Sequence, residues 1–169
     1  MQRHIVSDTD SMLSVAFLGF MCLIFAYLGI TIILDPDEEL KGHGLSFVGM
    51  EPSAYAEIRA YYGGCFATLV LICARGVAAS SGTRRKDALD VVCCLLFFFA
   101  AIRVYSYVRD GPPVRTNVYA LWTAEAVGAL VAGALGFAEL RRAAFDGLVA
   151  GAINPAVDKL NKLDAAKTK

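Results

Sequence analysis

Apolar residues in this chain come in long unbroken blocks, not at the alternating or one-faced spacings of a water-soluble domain. From Met12 to Leu34 there is no charged side chain, and at about 1.5 Å per residue such a block crosses the ~30 Å hydrocarbon layer as a helix. Three further blocks of similar length follow. Predicted spans therefore run over residues 12–34, 54–79, 88–108 and 118–140, in a transmembrane domain of residues 1–142 with a tail over 143–169.

The polar breaks define the connections. Asp35-Pro36-Asp37-Glu38-Glu39 ends the first span, because proline disfavours a helical Asp35 and the carboxylates return the chain to water. Ser53 is the expected N-cap of the second span, with Glu57 near the positive end of its dipole. Ser80-Ser81-Gly82-Thr83-Arg84-Arg85-Lys86-Asp87 reads as a basic connection. In Asp110-Gly111-Pro112-Pro113 the glycine admits a positive φ and the prolines lack donors, so a turn is expected. Short connections favour antiparallel neighbours, and the predicted fold is all-α, a polytopic four-helix up-down bundle.

Composition agrees with this pattern and removes several functions. Of 169 residues 57% are hydrophobic, and 16 basic side chains balance 16 acidic ones, so no basic field argues for nucleic acid. Cys22, Cys65, Cys73, Cys93 and Cys94 all lie in apolar blocks without the spacings of a metal site, and adjacent Cys93 and Cys94 point to different sides of a helix. His4 and His43 stand alone in polar segments. No catalytic, metal or cofactor site is expected, although a bound lipid is compatible with the chain.

Lysine and arginine near the span ends set the orientation. Arg75, Arg84, Arg85 and Lys86 gather between spans two and three, and span four leaves on Arg141-Arg142. The positive-inside rule then places both termini on the cytoplasmic side, or its matrix or stromal equivalent. In the tail, Phe145, Leu148, Val149, Ile153, Val157, Leu160 and Leu163 recur at helix-like intervals interrupted near Pro155, as in a segment lying on a membrane or a partner; a fraying solvated tail fits equally.

Charges within hydrocarbon are costly and face a partner, a cavity or the interface. Arg75 can snorkel, and Asp90 can meet Arg84, Arg85 or Lys86. Glu57, Arg103 and Glu125 come from three spans and fall at similar depth on the acidic-loop side, and with Arg59 the two carboxylates and two guanidiniums cancel; Arg59 lies 200° around its helix from Glu57 and points elsewhere, to headgroups or another chain. Tyr61, Tyr105 and other aromatics at that level suit either an interfacial belt or the walls of a small pocket in which Arg103 meets an anion. Ala56, Ala60, Gly64 and Thr68, and Ala124, Gly128, Ala132 and Gly136, make low-relief stripes for close helix packing, within the bundle first and against another subunit second.

The string Glu57-Ile58-Arg59-Ala60-Tyr61-Tyr62-Gly63-Gly64, with Arg103, Asp110-Gly111-Pro112 and Glu125 after it, resembles an uncharacterised four-helix integral membrane protein family, a domain of unknown function whose second helix opens on an E-x-R-A-x-Y-G-G-like motif. The resemblance implies a four-helix bundle in which the two glutamates and the arginine share one polar feature, and it implies no reaction. The acidic first loop and long tail depart from that pattern, as additions that meet neighbours do. The expected role is a non-catalytic accessory subunit of a larger membrane complex, with an energy-transducing complex of the mitochondrial inner membrane favoured. Alternatives are a lipid- or small-ligand-binding or transport module built on Arg103, Glu57 and Glu125, and a pigment-binding photosynthetic subunit. The expected partners are the lipid bilayer and other membrane subunits.

Overall fold

In the computed structural model, the backbone is described for residues 2–42, 52–111 and 117–167, and the side chains for residues 11–38, 41, 53–109, 111 and 119–151. The helices are α1 (Gln2–Leu34), α2 (Pro36–Gly42), α3 (Pro52–Ile58), a π-helical segment (Arg59–Gly63), α4 (Gly64–Val77), α5 (Gly82–Asp110) and α6 (Asn117–Lys167). Among the described residues there is no strand. Four stretches, Ser11–Leu34, Ser53–Val77, Gly82–Arg109 and Tyr119–Gly151, are long and apolar enough to cross a membrane, as the block pattern predicts. His43, Pro112 and Pro113 fall outside the described residues, as do the side chains of His4 and of the tail from Ala152 onward.

Several boundaries differ from expectation for local reasons. Asp35 does end α1, but it also caps α2: its Oδ1 accepts from the Glu38 amide at 3.1 Å, and Pro36 takes the first helical position, where no N–H is needed. The α3 helix likewise begins on Pro52, one residue before Ser53. Ser81, in an extended conformation, accepts from the Arg84 amide at 3.4 Å and starts α5 at Gly82, so Thr83 to Asp87 belong to the helix and only Ala78–Ser81 form the connection. At the other end of α5 Gly111 adopts φ 93°, the left-handed conformation expected of this turn. The α6 helix neither stops at Arg141-Arg142 nor breaks near Pro155, and its 51 residues span about 77 Å.

Two antiparallel hairpins, α1 with α4 and α5 with α6, share a core near the chain termini. Its centre is Leu18, Met21, Leu69, Cys73, Leu89, Val92, Leu96, Ala129 and Ala132. Buried positions on α6, Glu125, Ala129, Ala132, Gly136 and Glu139, alternate steps of four and three, and Ser14, Leu18, Met21 and Phe25 do the same on α1. That 3.5-residue repeat is the seam of left-handed helix packing. In hydrocarbon the attraction across the seam is contact between surfaces and not flight from water, so close approach matters most. Gly76 marks a tight crossing: a Cβ there would sit 2.7 Å from the Ala88 Cβ and 2.8 Å from a Leu18 methyl.

Toward the acidic-loop side two aromatic contacts lie within the hairpins. Phe25 stacks on Phe66 at 6.2 Å, and Tyr107 meets Trp122 edge-on at 6.1 Å. The π-helical segment falls on the motif itself, and the Arg59 Nε donates at 2.9 Å to the Ile33 carbonyl, satisfying one of the acceptors that α1 leaves open at its C-terminus.

The small-residue stripes divide. Gly128 and Gly136 pack on α5, where added Cβ atoms would lie 2.8 Å from Leu96 and 3.1 Å from Asp90. Ala56, Ala60, Gly64 and Thr68 are exposed instead, and a Cβ on Gly64 would meet nothing within 4 Å. Gly76→Ala should therefore destabilise the bundle by about 1–3 kcal/mol through overpacking, whereas Gly64→Ala should change it by less than about 0.5 kcal/mol. Thermal unfolding of the full chain in detergent measures both.

Candidate functional site

Two ion pairs, one buried and one partly buried, tie α5 to α6, one near each end of the bundle. On the acidic-loop side the Arg103 guanidinium donates to both Glu125 carboxylate oxygens, from Nε at 2.7 Å and from a terminal nitrogen at 2.9 Å. The Glu125 side chain is buried and that of Arg103 is about one-third exposed. This fork-on-fork geometry fixes both position and orientation, as a helix–helix lock requires. Trp122, one turn before Glu125, has its indole N–H buried without an acceptor.

Of the residues expected to join this cluster, the structure brings together Arg103 and Glu125 alone. Glu57 is exposed and bonds to neither. Arg59 points away from the cluster, but to the Ile33 carbonyl at the end of α1 and not to the headgroups or other chain expected for it. Tyr61 and Tyr105 are exposed on the bundle's outer surface, Tyr105 accepting from Arg109 at 3.3 Å. Cys93 is half-buried and Cys94 exposed, on different sides of α5; among the described residues no three His, Cys, Asp or Glu side chains gather as a metal site would need.

The second pair was not legible as such. Arg85 reads in the sequence as part of a solvated basic connection, but the Ser81 cap makes it helical and turns it inward, where it is 7% exposed. One of its terminal nitrogens donates to Glu139 Oε1 at 3.1 Å and to the Ser11 hydroxyl at 2.7 Å, and the other to the Ala79 carbonyl at 2.7 Å. One guanidinium thus touches α1, α6 and the connection that follows α4, from its place on α5. Glu139 is 1% exposed, with Oε2 unpartnered, and a Cβ on Gly82 would lie 2.9 Å from that oxygen. Asp90 pairs with Lys86 one turn away. Glu139 was missed because it stands next to Leu140 and the Arg141-Arg142 exit; the signal that finds it is the four-three repeat from Glu125, which puts both glutamates on one buried face two heptads apart.

A helical bundle with four membrane-length spans and ion pairs between its last two helices is the construction of a polytopic membrane protein. The chain belongs to the family described as a domain of unknown function, DUF4345, which matches residues 14–135. No curated protein and no solved structure matches it.

Removing one partner of a buried pair strands a charge in low dielectric, at a cost of about 3–5 kcal/mol. Glu139→Ala should therefore unfold the bundle at a much lower temperature than the unmodified chain, and the double change Arg85→Met with Glu139→Leu should recover most of the loss. Arg103→Ala, at a wetter site, should cost about 1.5–3 kcal/mol. Melting in detergent followed by near-ultraviolet circular dichroism ranks the three.

Proposed function

We propose that this protein is a non-catalytic accessory subunit of a larger membrane assembly, holding a partner subunit through the end of α6. The observation that carries this reading is the course of that helix. The family match ends at residue 135, yet α6 runs on to Lys167, and every residue from 144 to 151 is exposed, including Phe145, Leu148 and Val149. A helix that leaves its bundle with uncovered apolar side chains has the features of one that lies in the groove of another chain.

The outward stripe of Ala56, Ala60, Gly64 and Thr68 supports the same reading from within the bilayer. The Thr68 hydroxyl donates back to the Gly64 carbonyl at 2.9 Å, so the stripe presents no unsatisfied polar group and lets a partner helix approach its backbone. In this reading the family bundle is the membrane anchor and the extension the adaptor. An energy-transducing complex of an organelle inner membrane, with both termini on the matrix side, is the assembly class we favour.

Solubilisation of native membranes in mild detergent tests the proposal. The protein should migrate in a native gel with stable companions, far above its own 18.1 kDa. Phe145→Glu together with Leu148→Glu should release it while the bundle stays folded. Migration of the unmodified protein as a free chain would overturn the reading.

A further inference from the structure

No further inference is drawn: the strongest candidate, the apolar groove of about 590 Å³ between α5 and α6 lined by Cys93, Phe97, Ala100, Ala129, Leu130 and Gly133, carries none because nothing in the structure shows what covers it.

Discussion

The inward-facing guanidinium of Arg85 joins α5 to α1, to α6 and to the connection that follows α4. Its charge is matched by Glu139, its remaining donors reach the Ser11 hydroxyl and the Ala79 carbonyl, and the carboxylate fits because Gly82 has no side chain to displace it. An ion pair removed from water is held by geometry as much as by charge, since each unfilled bonding position is a cost that attraction must offset. Two such positions stay open, Arg85 Nε and Glu139 Oε2. The knot therefore specifies how the hairpins meet more than it stabilises them.

From that end the bundle changes character along its length. Near the termini Leu18, Cys73, Leu89, Val92 and Ala132 form a close-packed centre. Toward the acidic loop Phe25 stacks on Phe66 and Tyr107 meets Trp122 within their hairpins, and the lock between α5 and α6 passes to Arg103 and Glu125. The seam on α6 thus begins and ends on a glutamate matched by an arginine of α5, with only small residues between. Two charge pairs at the ends of a smooth interface set its register, because sliding α6 by one turn would break both.

The outer surface carries the remaining information. Leu23, Phe97, Phe98 and Leu130 face outward, as lipid-exposed side chains do, whereas the stripe through Gly64 is nearly featureless and the end of α6 stands clear of the bundle. These are the surfaces through which we connect the chain to an assembly.

How much of this was readable from residues alone follows from the range of each force. Hydrophobic length determined the four spans, and proline and glycine chemistry determined the break at Asp35-Pro36 and the positive φ of Gly111, because these act within a few residues. Pairing of Arg103 with Glu125 was also within reach, since opposite charges at similar depth on adjacent antiparallel helices have few other partners. The position of Glu57 was not: its helix faces α1 through a π-helical segment that no composition announces, and it is left exposed. Nor was the outward turn of the Gly64 stripe, because small residues spaced by four mark a smooth face without saying what lies against it. Arg85 shows the limit most clearly. One serine cap, a local feature, placed it in a helix with the Ala79 carbonyl six residues away as one acceptor; only the arrival of Ser11 and Glu139 from distant parts of the chain made it the buried centre of the fold.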